Sequence, residues 1–406
     1  RDRRLMRPRV LIIGASLAGL RGAEAVLAAL PEAQVTVVGD EAHAPYNRPP
    51  LSKEALTGLV AGDAALEKLA FRHRLAEGAV DWRLGVRAEA TDAQARTVRL
   101  SDGTVLGYDW LIAASGLRPR RMALPHAEGR HVLRTWEDAV GLASALRPGA
   151  RMLVVGAGFI GCEVAATAVK LGLSATVIEP QAQPMLAALG PDVAAAMAAF
   201  HRSHGVDLRC GLTVTGADRG ALILSNGSRL EGDVIVEAVG SVPNVDWLEG
   251  TGLDLSNGVL CDATLTARGS DRIVAVGDVA RFPNALFDAT PRRVEHWSIP
   301  GLTAKRAAET IAARVAGAEP PARFAVLPSF WSDQHGLRLQ SFGAPGLGDE
   351  IRVLDGDLAR LGDIPCLVEY RRAGRMVGIL GLGAAPATLA QHRMRLERDL
   401  NETVAA

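Results

Sequence analysis

The strongest pattern along the chain is a short apolar run that leads through a glycine turn into an alanine-rich segment. Residues 10–13 read Val-Leu-Ile-Ile, residues 14–19 contain the turn, and residues 20–25 have helical character. A second apolar run at residues 34–38 precedes two acidic residues. This order predicts a βαβ unit, in which the N-terminus of the helix faces a pyrophosphate.

The same pattern returns between residues 151 and 179. Its turn has glycine at 156, 158 and 161, whereas Ser16 replaces the middle glycine of the first turn. A βαβ unit that occurs twice predicts two similar domains, each of which holds one dinucleotide.

Acidic residues follow the second strand of each unit. Glu179 stands 18 residues after Gly161 (179 − 161), and Asp40 stands 21 residues after Gly19 (40 − 19). A carboxylate at this place accepts a hydrogen bond from a ribose 2′-hydroxyl and repels a 2′-phosphate. Residues 180–184 contain no Arg or Lys that could neutralise such a phosphate, so the sequence predicts NADH rather than NADPH.

Other segments carry weaker signals. Two prolines stiffen the loop from Arg48 to Lys53, which can place cations near a phosphate or an electron-rich ring, although a solvated surface turn has the same pattern. A buried strand enters the turn at Gly277-Asp278, where an Asp either binds the ribityl hydroxyls of a flavin or caps a helix. From about residue 324, alternating strands predict a separate α+β domain.

Composition excludes several classes of function. The chain has 406 residues with 45 basic and 45 acidic side chains, so it has no basic excess for nucleic acid, and no apolar run reaches the length of a membrane span. Four cysteines without a CxxC pair argue against a metal site and a dithiol relay, and we expect ordinary buried thiols. No apolar region of the kind found in secretory signals follows Arg1–Met6, so we expect a cytoplasmic protein.

Four motifs, in this order, carry a resemblance to a known family: Arg-Pro-Pro-Leu-Ser-Lys at 48–53, Gly277-Asp278, Glu295-His296-Trp297, and Phe-Trp-Ser-Asp-Gln at 330–334. They resemble the FAD-dependent ferredoxin reductases of bacterial oxygenase systems, of the putidaredoxin reductase and biphenyl dioxygenase reductase type. The sequence departs from that family's frequent pattern at Ser16, Gln183 and residues 301–303.

The resemblance implies a glutathione-reductase-like α/β fold with two Rossmann-type dinucleotide-binding domains and a C-terminal α+β domain. The implied domains are the first part of the FAD domain at 7–120, the NADH domain at 121–245, the second part of the FAD domain at 246–322 and the C-terminal interface domain at 323–406.

The resemblance also implies residue roles. Lys53, Glu163 and Trp297 are the expected catalytic residues: Lys53 approaches the isoalloxazine and pairs with Glu163, and Trp297 lies along the ring. The residues expected to bind FAD non-covalently are Gly14, Ser16, Leu17, Ala18, Gly19, Asp40, Glu41, Arg48, Lys53, Val86, Ala114, Ser115, Gly116, Arg134, Gly277, Asp278, Glu295, His296 and Trp297. The residues expected to bind NADH are Gly156, Gly158, Phe159, Ile160, Gly161, Glu163, Glu179 and Gly240. No metal site is expected.

The implied reaction is hydride transfer from NADH to flavin N5, followed by single-electron transfers to a small acidic ferredoxin, [2Fe–2S] or related. That ferredoxin would supply a bacterial monooxygenase or ring-hydroxylating dioxygenase. Lys305 and Arg306 are docking candidates, although they equally suit a solvated helix face. The alternatives are a rubredoxin or monodehydroascorbate reductase and a redox binding protein like apoptosis-inducing factor. We expect no nucleic-acid or membrane partner, and a monomer or weak dimer.

Overall fold

Strands and helices alternate over most of the chain, and the structure, a computed structural model, describes residues 7–126 and 129–405. Arg1–Met6, for which we expect no secretory signal, lie outside the described residues. The described helices are α1 Leu17–Ala29, α2 Glu54–Ala61, α3 Trp136–Ala145, α4 Phe159–Lys170, α5 Leu186–Leu189, α6 Pro191–Ser203, α7 Ile299–Val315 and α8 Pro386–Ala405. The described strands are β1 Arg9–Ile13, β2 Gln34–Gly39, β3 Val80–Leu84, β4 Ala88–Asp92, β5 Thr97–Leu100, β6 Val105–Gly107, β7 Trp110–Ala113, β8 Leu117–Pro119, β9 Arg130–His131, β10 Arg151–Val155, β11 Ser174–Glu179, β12 Val206–Cys210, β13 Val214–Asp218, β14 Ala221–Leu224, β15 Arg229–Glu231, β16 Val234–Glu237, β17 Ser241–Pro243, β18 Val259–Leu260, β19 Ile273–Ala275, β20 Ala280–Asn284, β21 Asp288–Arg293, β22 Ser329–Gln334, β23 Leu337–Gly343, β24 Glu350–Asp355, β25 Cys366–Arg372 and β26 Arg375–Leu382.

The chain divides into two compact units, each built from segments that are separate in sequence. The first unit contains the residues up to Asn47, Ala70–Arg118 and Val242–Pro328. The second unit contains Arg48–Leu69, Pro119–Ser241 and the residues from Ser329 onward. These units are groups of residues in mutual contact rather than functional domains, so the division at residues 120, 245 and 322 stays a prediction.

The first unit is built on a parallel sheet in the order β19-β7-β1-β2-β3. Along β1, Val10 and Ile12 face one hydrophobic cluster, which also takes in residues of α1 and α7, whereas Leu11 and Ile13 face a second cluster. Because both faces of the strand are covered, the sequence reads as a continuous apolar run rather than an alternation.

The second unit repeats this arrangement with a parallel sheet in the order β12-β11-β10-β16-β9. Each unit also contains a three-stranded antiparallel meander just before the strand that pairs with the first strand of its sheet: β4-β5-β6 precedes β7, and β13-β14-β15 precedes β16. The internal repeat is therefore longer than the βαβ pattern that the sequence shows.

The second unit also contains a five-stranded sheet in the order β22-β23-β26-β25-β24, whose neighbouring strands are all antiparallel, and α8 packs on β26. Side chains two residues apart on a strand point to the same face. On β22 that face carries Ser332 and Gln334, and both are fully buried. Two buried polar side chains on one strand require hydrogen-bond partners inside the protein.

Within the described residues, every helix is too short or too polar to cross a lipid bilayer.

Candidate functional site

The glycine turn of the first unit packs directly against the end of β7. A Cβ atom on Gly14 would lie 2.1 Å from the carbonyl oxygen of Ala114, and one on Gly19 would lie 1.8 Å from the carbonyl oxygen of Gly14. The backbone of Gly14 has φ = +123°, a value that residues with side chains rarely adopt. Glycine is therefore required at both positions for α1 to begin this close to the sheet.

The turn at Gly277-Asp278 also lies at the edge of the sheet where the first glycine turn packs. A Cβ on Gly277 would lie 2.8 Å from the Cβ of Ala18, in the first turn of α1. The backbone N–H of Gly277 donates to the buried hydroxyl of Thr303 at 2.9 Å, so a residue at which the sequence departs from the family pattern fixes this turn. The structure thus brings together the turn at 14–19, the end of β7 and the turn at Gly277-Asp278.

The acidic residues after β2 do not occupy the position of Glu179 in the repeat. Strand register pairs Ile13 with Val38 and Val155 with Ile178, so the counterpart of Glu179 is Gly39. A Cβ on Gly39 would lie 2.4 Å from the methyl group of Ala15, which explains the glycine. Asp40 comes one residue later and is exposed, and its contact with FAD stays a prediction.

Several other predicted FAD residues have structural partners in the first unit. Glu41 accepts a hydrogen bond from the Tyr46 hydroxyl at 2.5 Å, and the backbone N–H of Val86 donates to Gly39 at 2.9 Å. The Ser115 hydroxyl donates to the backbone of Asn244 at 2.6 Å. These contacts shape the edge of the sheet, and the contacts of these residues with FAD stay predictions.

The segment Glu295-His296-Trp297, just before α7, contains one buried and one exposed ring. Burial lowers the pKa of His296 to about 4, whereas Trp297 is 44 % exposed. Glu295 pairs with Arg293 at 2.8 Å. The exposed indole is accessible to a ligand, and the role of Trp297 stays a prediction.

The second unit repeats the geometry of the glycine turn. A Cβ on Gly156 would lie 2.3 Å from the carbonyl oxygen of Ala238, and one on Gly161 would lie 2.0 Å from the carbonyl oxygen of Gly156. A Cβ on Gly158 would meet no described atom within 4 Å. The first and third glycines therefore permit close packing, and the second leaves the backbone open to a ligand.

A pocket of about 180 Å³ lies beside this second turn. Its lining residues are Ala157, Gly158, Phe159, Glu179, Gln181, Met185, Leu186, Ala187 and Ala188. One oxygen of Glu179 accepts the backbone N–H of Ala157 at 2.7 Å, and the other accepts that of Gln181 at 2.9 Å. The carboxylate is held at the pocket wall, where it retains lone pairs for a ribose hydroxyl.

Glu163 is the centre of a buried polar cluster in the second unit. Its Oε2 accepts from Lys53 Nζ at 2.8 Å and from the Ser52 hydroxyl at 2.5 Å, and its Oε1 accepts from the Ser332 hydroxyl at 2.6 Å. One turn further along α4, the Thr167 hydroxyl donates to the backbone oxygen of Ser52 at 2.7 Å. The predicted pairing of Lys53 with Glu163 is present in the structure. Glu163 and Thr167 lie on one face of α4, and together they hold the segment Ser52-Lys53.

Other predicted residues of the second unit have contacts or backbone conformations of their own. The Arg48 guanidinium donates to the backbone oxygen of Arg134 at 2.6 Å. The ring of Phe159 packs on that of Phe330 with 4.9 Å between centroids. Ile160 is largely exposed in the first turn of α4, and Gly240 has φ = +94°.

Both glycine turns fit a dinucleotide. Each leads into a helix whose first turn is apolar, Leu17–Leu20 in one unit and Phe159–Cys162 in the other. The N-terminus of a helix attracts anions through its backbone N–H groups and its dipole. A pyrophosphate group therefore suits each turn, and Glu179 suits a free ribose in the second.

Cysteines and metal ligands add no further site among residues 7–126 and 129–405. All four thiols are free; Cys162, Cys261 and Cys366 are buried as expected, whereas Cys210 is half-buried. Burial raises the pKa of the Cys162 thiol. Among these described residues, no group of three or more His, Cys, Asp or Glu side chains could hold a metal ion.

The structure argues against one of the two docking candidates. The Arg306 guanidinium donates to the backbone oxygens of Pro321 and Arg323 and lies 5.2 Å from the centre of the Phe324 ring. It therefore holds the segment after α7 in place, and its side chain is only 10 % exposed. Lys305 is exposed and stays a candidate.

Sequence reasoning missed the residues that support Glu163. Ser52 and Ser332 lie inside motifs used for the resemblance, but the resemblance implied no role for either serine. The period-two spacing of Ser332 and Gln334 was the available signal, because it places both on one face of a strand. His201, a buried partner of Gln334, stands alone in an alanine-rich helix and gave no signal.

Comparisons with known proteins show which family the chain belongs to. Residues 8–301 match the family model described as pyridine nucleotide-disulphide oxidoreductase, and residues 329–406 match the model described as reductase C-terminal. The chain belongs to the pyridine nucleotide-disulphide oxidoreductase family. The family description names an oxidoreductase that uses a pyridine nucleotide, which agrees with the dinucleotide binding predicted from the two glycine turns.

The similar proteins include reductase components of dioxygenase systems and putidaredoxin reductase. The ferredoxin--NAD(+) reductase component of the anthranilate 1,2-dioxygenase system of Burkholderia cepacia is 36% identical, over 86% of this chain and 85% of its own. Putidaredoxin reductase of Pseudomonas putida is 35% identical, over 86% of this chain and 83% of its own. The crystal structure of the covalent putidaredoxin reductase-putidaredoxin complex matches with a TM-score of 0.85 and 31% identity, covering 96% of this chain and 93% of that chain.

These findings confirm four predictions: the family resemblance, the glutathione-reductase-like fold class, the oxidoreductase activity and the use of FAD and NADH. The roles of individual site residues stay predictions.

Buried histidines predict a loss of stability in mild acid. Burial lowers the pKa of His201 and lowers that of His335 to about 4. The unfolded chain, with histidine pKa values near 6.5, binds more protons than the native state between these values, so the free energy of unfolding falls as pH falls through this window. We expect the melting temperature of the FAD-loaded protein to decrease from pH 7 to pH 4.5, and to decrease less steeply in His335→Gln. Equal slopes in the two proteins would contradict the assignment to His335.

Proposed function

We propose that this protein is an NADH-dependent FAD reductase that passes electrons to a small acidic iron–sulfur protein, a [2Fe–2S] or related ferredoxin of a bacterial oxygenase system. The observation that carries the proposal is the pair of dinucleotide turns, one in each unit. A chain with two such turns can hold a hydride donor and a flavin acceptor. The relatives named as ferredoxin--NAD(+) reductase components support the choice of acceptor.

Bound FAD supplies the ability to take a hydride from NADH and to release its electrons one at a time. The chain's own residues bind and orient the two dinucleotides. In the first unit, the turn at 14–19 receives the FAD pyrophosphate at the N-terminus of α1. In the second unit, the turn at 156–161 receives the NADH pyrophosphate, and Glu179 accepts a ribose hydroxyl.

Lys53 supplies electrostatic stabilisation. Its ammonium group is 12 % exposed and is held by Glu163, so its position is fixed before the reaction begins. A fixed cation in a site shielded from water stabilises negative charge that develops during a reaction. We assign this role to Lys53 for the hydride step, with Glu163 as the residue that orients it.

The partner is proposed to dock by charge. A small acidic protein is attracted to exposed cations, and Lys305 is exposed on α7, eight positions after the exposed Trp297 (305 − 297). We propose a monomer or weak dimer as the working state, and we retain the division into three domains, with the FAD domain in two parts, that the resemblance implies.

The test of the whole proposal is an acceptor panel. We expect NADH to drive reduction of a [2Fe–2S] ferredoxin, followed by visible spectroscopy, with kcat/KM at least about tenfold higher than for rubredoxin or monodehydroascorbate. NADPH should be a poorer donor than NADH because Glu179 repels its 2′-phosphate, and Glu179→Gln should narrow that preference. Turnover with monodehydroascorbate alone, or a preference for NADPH, would contradict the proposal.

Lys53→Ala should slow reduction of the flavin by NADH by roughly tenfold or more, because the fixed cation is lost. Single-turnover absorbance of the flavin measures this step without a ferredoxin. Lys68→Ala is the matched control: it removes another lysine of the segment 48–69, one that donates to the backbone oxygen of Asp63 at 2.9 Å. An unchanged rate in Lys53→Ala would refute its role.

Lys305→Glu should weaken ferredoxin reduction and reduce its dependence on salt, because one attractive charge becomes repulsive. Reduction of ferricyanide, a small acceptor, should be unchanged. Lys170→Glu reverses the charge of an exposed lysine at the end of α4 and serves as the control. If both variants lose ferredoxin reduction equally, Lys305 has no special place in docking.

A further inference from the structure

A buried chain of hydrogen bonds leads from Glu163 to a histidine of another helix. The Ser332 hydroxyl contacts Glu163 Oε1 at 2.6 Å, and Gln334 Nε2 contacts the Ser332 oxygen at 3.0 Å. His201 Nε2 lies 2.7 Å from Gln334 Oε1. Ser332, Gln334 and His201 are all fully buried, so water does not compete for these bonds.

The chemistry of the groups gives the chain one direction. A carboxylate only accepts, so the Ser332 proton points at Glu163 and the Ser332 oxygen accepts from the Gln334 amide. The Gln334 carbonyl therefore faces His201, whose Nε2 must carry the proton. The other ring nitrogen, Nδ1, then accepts from His335 Nε2, which lies 3.2 Å away. Each donor points toward Glu163.

His201 is suited to hold this tautomer at neutral pH. Burial lowers its pKa, and the rings that face it belong to His335, at 4.9 Å between centroids, and to Phe200, at 6.4 Å. A neutral imidazole keeps one donor and one acceptor, as the chain requires. The Gln334 amide cannot accept a proton and pass it on at ordinary cost, so the chain orients groups rather than conducting protons.

Gln334 also contacts the wall of the nucleotide pocket. Its Nε2 lies 3.5 Å from the sulfur of Met185. Met185 lines the pocket, has φ = +54°, and donates its backbone N–H to the Ala157 oxygen in the glycine turn at 2.9 Å. One amide therefore contacts both the pocket wall and the hydroxyl that holds Glu163.

We propose that Ser332, Gln334 and His201 are positioning residues for the hydride step. Ser332 fixes the orientation of the Glu163 carboxylate, which holds Lys53. Gln334 fixes Ser332 and, through Met185, the wall of the nucleotide pocket, while His201 fixes the orientation of the Gln334 amide. The inference rests on the proposed function only in assigning Lys53 to hydride transfer from NADH to the flavin.

The first test measures geometry without turnover. ¹⁵N NMR of the FAD-loaded protein should show His201 as the neutral Nε2–H tautomer, and Gln334→Leu should weaken that preference, because only the contact with His335 then remains. Acylation of Lys53, followed by mass spectrometry, should be several-fold faster in Ser332→Ala than in the native protein, because Glu163 is free to turn. A His201 that carries its proton on Nδ1 would overturn the proposal.

The second test separates binding from hydride transfer. Ser332→Ala should slow flavin reduction by NADH roughly tenfold, the effect of losing one bond to a charged group, with the Kd of NADH unchanged. Gln334→Leu should slow the step and also raise the Kd of NADH. His201→Gln, which keeps a donor toward Gln334, should retain more of the rate than His201→Leu.

Ser341→Ala is the matched control. Ser341 is fully buried on β23, the strand beside β22, and its hydroxyl donates to the Ile379 oxygen at 3.1 Å. If Ser332→Ala and Ser341→Ala give the same hydride rate and the same Lys53 acylation, the positioning role is wrong. If the protein does not react with NADH at all, the proposed function fails, while the tautomer and acylation results still decide the geometry.

Discussion

A carboxylate buried in protein is stable only when donors replace the water that it has lost, and Glu163 is such a carboxylate. Its side chain is 5 % exposed, and it accepts from Ser52, Lys53 and Ser332. These donors come from two segments far apart in sequence, and Glu163 comes from a third. The arrangement of Ser52, Lys53 and Ser332 therefore depends on a single acid, because removing it would leave the largely buried Lys53 ammonium group without its counter-charge.

The glycine turns impose a second constraint, because the backbone packs so closely there that no side chain fits. In each unit the first glycine approaches the backbone that follows a neighbouring strand more closely than any side chain permits, at Ala114 and at Ala238. The two units differ at the last residue of the second strand. Glu179 binds the turn itself through Ala157, whereas Gly39 takes that position in the first unit because the methyl group of Ala15 fills the space. Two copies of one motif thus end their second strands with different groups, a carboxylate in one unit and a glycine in the other.

The sequence was sufficient for features that depend on local pattern. Apolar runs, glycine turns and the repeat predicted both parallel sheets, and the motif order identified the family and its cofactors. It was insufficient where distant segments meet. Strand register, which residue counts do not give, shows that Gly39 rather than Asp40 is the counterpart of Glu179. Arg306 resembled a surface cation, and its packing on Phe324 depends on the fold of the segment after α7.

The C-terminal segment shows why a domain's name is a poor guide to what its residues do. The sequence assigned residues 323–406 to an interface, and the segment matches its own family model from residue 329. Yet β22, its first strand, gives Ser332 to Glu163 and Phe330 to Phe159. Because Ser332 is one of three donors to the buried Glu163 carboxylate, the position of β22 affects how firmly Lys53 is held. The segment is therefore part of the nucleotide-binding unit as well as a candidate surface for a partner.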